Sequence, residues 1–170
     1  LDKGRRPGNY AEMCDYLRII QSLNVIQQEG GGPFEAMDLP AETRHLDLYL
    51  AQIRLLDKNW QAHALGRERT IDAIEMACIS LGVDRQALEE KPAVLAIINT
   101  NSPMQLDIPM TEAVFELASA NQVCCITPFT LAGSMSPATL AGTLMQQTAE
   151  VLAVATLAQI VRPGAPIIYG

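Results

Sequence analysis

Met13, Tyr16, Leu17 and Ile20 fall at i, i+3, i+4 and i+7, the apolar stripe of an amphipathic helix, and predict one over about 9–22. The short apolar piece Leu23–Gln27 reads as a strand. After the breaker Gly30-Gly31-Gly32-Pro33 the helical spacing returns in Leu46, Tyr49, Leu50 and Ile53. Trp60–Leu65 reads as a further strand, with Trp60 in the core, and Ile71, Ile74, Cys78 and Leu81 form a helix face that stops at Gly82. Asp84 is placed to cap a short turn. Ala93–Ile98 is apolar without alternation, the pattern of a strand covered on both faces in a parallel sheet, and it runs into the polar loop Asn99-Thr100-Asn101-Ser102-Pro103. Met110, Val114 and Leu117 mark the next helix, and Val123–Ile126 the next strand, ended by Thr127-Pro128. Ser136 followed by Pro137 offers a capping hydroxyl and a proline at the first helical position. It predicts a helix of about 25 residues up to Arg162-Pro163-Gly164. Pro166–Tyr169 begins a last strand.

Helices and strands therefore alternate, with about five parallel-type strands expected. Such alternation implies a parallel sheet covered by helices, and the pattern alone leaves two architectures open: a closed eight-stranded barrel and an open doubly wound sheet. Residues 1–170 read as one incomplete domain, because the chain lacks an initiator methionine and stops on a strand. Five strands cannot close an eight-stranded barrel. Homo-oligomerisation is expected as a way to cover the strand edges left exposed.

Composition narrows the function classes. A chain of 170 residues with 49% hydrophobic residues can bury a substantial core. Its net charge of -7 excludes a general nucleic-acid footprint, since the basic clusters Lys3-Arg5-Arg6 and Arg67-Arg69 are too short to track phosphates. The cysteines Cys14, Cys78, Cys124 and Cys125 sit in apolar runs without C-x-x-C spacing, so reduced thiols, no metal site and a cytoplasmic setting are expected. The first residues lack the apolar segment of a signal peptide. The longest unbroken apolar stretch, Val151–Ala158, falls well short of the roughly 20 residues of a bilayer span, so no membrane association is expected.

In a parallel β/α architecture the working residues sit in loops after the carboxyl ends of strands. Asn99, Asn101 and Ser102 are short polar side chains in such a loop, suited to hydrogen-bonding a small ligand and equally ordinary in a turn. Thr127, Phe129 and Tyr169 follow the later strands, and aromatic faces at those places can hold a quaternary ammonium group by cation–π attraction. The run Gly30–Gly32 offers backbone N–H groups to an anion but matches no phosphate-loop pattern, and reads better as a flexible loop. His45 is expected on a helix surface and His63 facing inward. Asp72, Asp107 and Glu150 are candidate carboxylates, with Asp107 fitting a helix cap equally well. No catalytic residue is assigned by these patterns.

The segment TPFTLAGSMSPATLAGTLMQQTAEVLAVATLAQIVRPGAPIIYG, from Thr127 to Gly170, resembles a barrel segment of the trimethylamine methyltransferase family, whose members include glycine betaine methyltransferases without pyrrolysine. Ala64-Leu65-Gly66-Arg67-Glu68, Asp72-Ala73-Ile74-Glu75-Met76, Asn99-Thr100-Asn101-Ser102-Pro103 and, more weakly, Arg6-Pro7-Gly8 extend the likeness over the whole chain. The resemblance implies that residues 1–170 are a central segment of a (β/α)8 barrel. It implies transfer of a methyl group from a methylated or quaternary amine, of the trimethylamine or glycine betaine type, to the Co(I) corrinoid of a partner protein, as in the one-carbon metabolism of methanogenesis. No cofactor is expected on this chain, which has no D-x-H-x-x-G cobalamin motif; the corrinoid is expected on the partner. Asn99, Asn101, Ser102, Thr127, Phe129 and Tyr169 are the positions expected to face substrate or corrinoid. The alternative is a catalytically silent barrel fragment that serves assembly.

Overall fold

The computed structural model describes Gly4 and residues 6–170; the amino-terminal readings that involve Leu1, Asp2, Lys3 and Arg5 lie outside the described residues. The chain divides into two compact units, residues 1–61 and 62–170.

In the first unit, α1 (Tyr10–Ser22) is capped by Asn9, whose side chain accepts from the Glu12 N–H, and buries Met13, Leu17 and Ile20. These pack with Ala36, Leu48, Ala51 and Leu56 into one apolar cluster. Full burial of a leucine-sized side chain contributes about 1.5–3 kcal/mol. The strand expected over Leu23–Gln27 does not form. Ile26 N–H turns back to the Leu23 carbonyl, Val25 is 85% exposed, and the Lys58 ammonium takes the carbonyls of Ile20 and Leu23. Just past that segment, Gln28 makes an isolated bridge to Asn59.

Helix α2 (Arg44–Leu55) forms as expected but is turned by one residue from the expected stripe. It buries His45, Leu48, Tyr49, Ala51 and Gln52, whereas Leu46, Leu50 and Ile53 are half-buried. The two adjacent stripes share Tyr49 and each carries leucine, so the spacing could not choose between them. His45 is consequently buried, contrary to the expected surface position, with its ring 5.8 Å from Tyr49 in an edge-on contact.

The second unit carries a four-stranded parallel sheet in the order β1-β2-β3-β4. Its elements are β1 (Gln61–Ala62) at the junction, α3 (Arg67–Leu81), α4 (Arg85–Glu90), β2 (Leu95–Thr100), α5 (Ile108–Ser119), β3 (Val123–Pro128), α6 (Leu140–Val161) and β4 (Ile167–Tyr169). The expectation of about five strands is thus corrected to four, and the sheet is open rather than closed. Gly82 ends α3 in the left-handed conformation at φ 65°, with the Val83 N–H reaching back to the Cys78 carbonyl. Asp84 and Asp107 cap α4 and α5 through their side chains. Helix α6 starts at the Thr139 cap, later than the expected Ser136. The Ser136 hydroxyl instead bonds to Thr143, and residues 131–136 close a tight turn on the Leu131 carbonyl.

Helices α5 and α6 pack on β2 and β3. They cover one face: Ala96, Ile98, Thr100, Cys124 and Ile126 are buried, while Ile97, Asn99, Cys125 and Thr127 on the opposite face are exposed or half-buried. The expected burial of both faces is therefore corrected to one. At the amino-terminal end of the sheet, Gln122 is fully buried and meets four backbone groups. Its carbonyl oxygen accepts from the N–H groups of Ala93 and Val94, both at 2.9 Å, and its amide nitrogen donates to the carbonyls of Leu88 (3.2 Å) and Ala120 (2.8 Å).

By length and composition α6, 22 residues long with Glu150 its one charged side chain, would suffice to cross a bilayer. Continuity of apolar residues underrates it because Gln146, Gln147 and Thr148 are uncharged. Core helices share this property, and α6 buries Thr143 and Glu150 against its neighbours.

Candidate functional site

Parallel pairing puts Asn99 beside Thr127, and Ile97 beside Cys125 and Ile168, on the open face of the sheet. At its carboxyl end the Thr127 hydroxyl donates to the Asn99 side-chain oxygen at 2.6 Å. Gly170 closes this corner: its N–H donates to the Ile126 carbonyl, and a Cβ there would stand 2.3 Å from the Thr127 methyl. The result is a neutral hydrogen-bonding pair above an apolar strip. Cys125, on that strip, has its thiol pushed up by burial, and the thiol of Cys124 on the covered face is pushed up to about 12. Neither is poised as a thiolate nucleophile near neutral pH.

The other sequence-derived positions separate from this pair. Tyr169 lies on the covered side, beside Ile126, and its hydroxyl shares a 2.9 Å hydrogen bond with Thr148 of α6. Phe129, just past β3, is 57% exposed. Asn101 bridges Gln105 through its backbone and has an exposed side chain. Ser102 points toward α6, where its hydroxyl donates to Glu150 at 2.7 Å.

Glu150 is the centre of a second constellation, on the covered side. The carboxylate is 3% exposed, on the residue as a whole, and accepts from four donors. One oxygen takes the hydroxyls of Thr100 and Ser102; the other takes the Met104 N–H and the Gln146 amide, both at 2.9 Å. Burial is the largest single influence on its acidity and pulls upward. The Met104 N–H, the two hydroxyls and Gln146 together outweigh it, leaving the carboxyl below the ordinary glutamate range. A carboxylate whose folded value is depressed adds stability above the unfolded value, about pH 4.3, and that stability is lost as pH falls through the lower folded value. Unfolding midpoints measured from roughly pH 5 down to pH 3 should therefore fall more steeply for the wild type than for Glu150→Gln.

A comparable arrangement in the first unit was not read from the sequence. Glu29 is fully buried and accepts from the N–H groups of Gly31 (2.9 Å) and Gly32 (2.6 Å) and from the Gln52 amide (2.6 Å). Two of the three glycine N–H groups considered as an anion cradle, those of Gly31 and Gly32, are thus taken by the chain's own carboxylate. Positive φ values of 89° at Gly31 and 81° at Gly32 give the turn that aims them. The adjacency of an acid to the glycine run was the available signal. For Glu150, it was a lone acid inside an apolar helix. Among the described residues no group of three or more His, Cys, Asp or Glu side chains is arranged to hold a metal ion.

The family model for trimethylamine methyltransferase (MTTB) matches residues 1–170, the whole chain. The chain belongs to this family. It is 36% identical over 170 residues to a glycine betaine methyltransferase of Desulfitobacterium hafniense (strain Y51), covering 100% of this chain and 35% of that protein. A trimethylamine methyltransferase MttB1 of Methanosarcina mazei is 34% identical over 89 residues, 52% of this chain and 18% of the relative. A trimethylamine methyltransferase MttB of Desulfitobacterium hafniense (strain DSM 10664 / DCB-2) is 34% identical over 94 residues, 55% of this chain and 18% of the relative. The chain therefore spans about a third of the length of the glycine betaine methyltransferase, and its matched parts about a fifth of the other two.

Proposed function

We propose that residues 1–170 are a segment of a (β/α)8-barrel methyltransferase that moves a methyl group from a methylated or quaternary amine, of the trimethylamine or glycine betaine type, to the Co(I) corrinoid of a partner protein. The observation that carries this reading is the family match over the whole chain together with 36% identity to a glycine betaine methyltransferase. The fold supports the barrel part. Strand order follows chain order without reversal, and the helices cover one face only, which is how a singly wound barrel is built; a doubly wound sheet reverses its order and is covered on both sides.

In this reading the open face lines the barrel interior, and the carboxyl ends of β2 and β3 form part of its mouth. A quaternary ammonium cannot donate a hydrogen bond, so recognition falls to apolar and aromatic surface and to whatever polar group the amine carries. Ile97, Cys125 and Ile168 supply apolar surface, Phe129 an exposed aromatic face, and Asn99 with Thr127 neutral groups that can orient a polar substituent. The same neutral, hydrogen-bonding rim suits the amide-fringed edge of a corrinoid arriving on its partner. When bound there, the corrinoid supplies the nucleophile. This chain's part is to position the amine and exclude water. Asn101, Ser102 and Tyr169 act at the rim, the last two through contacts with α6. The free thiols accord with a cytoplasmic setting.

The test is methyl transfer by the full-length protein to a Co(I)-corrinoid partner, with Asn99→Ala compared to wild type. Asn99→Ala is expected to lower kcat/KM by about 10-fold or more while leaving the thermal midpoint near the wild-type value. Equal kcat/KM in the two proteins would remove Asn99 from the site.

A further inference from the structure

We propose that Glu150 is a positioning residue for the substrate end of the sheet: from the covered side it locks the loop that follows β2, and so fixes Asn99 on the open side. This rests on the methyltransferase reading of the open face. Glu150 cannot touch a ligand there, because it lies behind β2. Its reach is through the backbone. Thr100 immediately follows Asn99, alternation sends their side chains to opposite faces, and the Thr100 hydroxyl is bonded to Glu150 while Asn99 meets Thr127. Ser102 and the Met104 N–H extend the grip over the loop. Gln146, one helical turn earlier on α6, donates both to Glu150 and to the Met135 carbonyl at 2.8 Å, which ties the loop before α6 to the same carboxylate. Two loops at the carboxyl end of the sheet are thereby held by one buried acid.

The bonding pattern separates a geometric role from a role for charge. The oxygen facing Thr100 and Ser102 meets hydroxyls, which can turn and accept; the oxygen facing Met104 and Gln146 meets N–H donors only. A glutamine at this place can put its nitrogen toward the hydroxyls and its oxygen toward the N–H groups, satisfying all partners. Alanine satisfies none.

The experiment uses the full-length protein as wild type, Glu150→Gln, Glu150→Ala, and the milder Thr100→Val, which loses one donor and keeps the shape should the alanine variant not fold. Methyl-transfer kinetics per folded molecule and amide hydrogen exchange are both measured. Glu150→Ala should lower kcat by about 10-fold, no more than the loss of Asn99 itself because its effect runs through Asn99, and should raise exchange across residues 99–105 while the core of β3 keeps its protection. Thr100→Val should move both readouts the same way and less. Glu150→Gln should restore most of the turnover and protection, and adding Glu150→Ala to Asn99→Ala should cost little beyond Asn99→Ala alone. Unchanged kcat per folded molecule in Glu150→Ala or in Thr100→Val, unchanged exchange over 99–105, or Glu150→Gln failing as badly as Glu150→Ala would each overturn the proposal. An inactive wild type would instead count against the methyltransferase reading. Exchange over 99–105 then decides the locking role by itself, with unchanged protection overturning it.

Discussion

Gln122→Ala is expected to lower the unfolding free energy by about 3 kcal/mol or more, read as a lower denaturant midpoint at unchanged slope. The side chain is fully buried and its amide meets two backbone N–H groups and two backbone carbonyls at the entry to β2 and the end of α5. Each buried group left without a partner costs about 1–3 kcal/mol; the Leu88 carbonyl keeps the Lys91 N–H, and the other three groups share one small site, so the costs do not simply add. Gln122→Glu is expected to fail as well. Its second oxygen would face the carbonyls of Leu88 and Ala120, where only a donor fits. A midpoint near wild type for either variant would show that the Gln122 side chain contributes little to holding this end of the sheet.

Glu29 carries the second large effect, and the contrast with Glu150 makes it informative. Glu29→Ala strands the buried Gln52 amide and the N–H groups of the half-buried Gly31 and Gly32, for a cost of about 2 kcal/mol or more. Glu29→Gln should be nearly as damaging. One Glu29 oxygen serves Gly31 and Gln52 and the other serves Gly32, and neither glycine N–H can reverse to accept. Whichever way the glutamine amide turns, its nitrogen meets a backbone donor. At Glu150 the same substitution is tolerated because two of the partners are hydroxyls. Denaturant midpoints of both glutamine variants test this directly: a large fall for Glu29→Gln with a small one for Glu150→Gln at neutral pH is expected, and equal changes would contradict it.

Most of the fold was legible because its signals are local. The stripe of α1, the Gly82 stop, the Asp84 and Asp107 caps and the apolar runs of β2 and β3 each follow from a few neighbouring residues. Where tertiary contacts decide, local pattern was insufficient. Leu23–Gln27 has strand-like composition but no neighbouring strand, and the Lys58 ammonium fixes a turn there from 35 residues away. Helix α2 could bury either of two adjacent stripes, and the need to bring Gln52 to Glu29 accompanies the one that is buried. The candidate site divides in the same way. Asn99 and Thr127 could be found as polar residues ending apolar strands, but which residues share a face depends on register. Register puts Tyr169 beside Ile126 on the covered side and Asn99 beside Thr127 on the open one. Glu29 has two partners only 2 and 3 residues away, but its Gln52 partner is 23 residues off, and the Thr100, Ser102 and Met104 partners of Glu150 are 46 to 50 residues off, which no spacing rule reaches.

The most direct test of the account is methyl transfer itself. Full-length protein is incubated with a Co(I)-corrinoid protein and, separately, trimethylamine, glycine betaine and other quaternary amines, and methyl–cobalt formation is followed by absorbance. The account predicts formation with at least one of these amines, dependent on the enzyme. Absence of methyl–cobalt with every amine, using a corrinoid partner shown to be active with another methyltransferase, would contradict it.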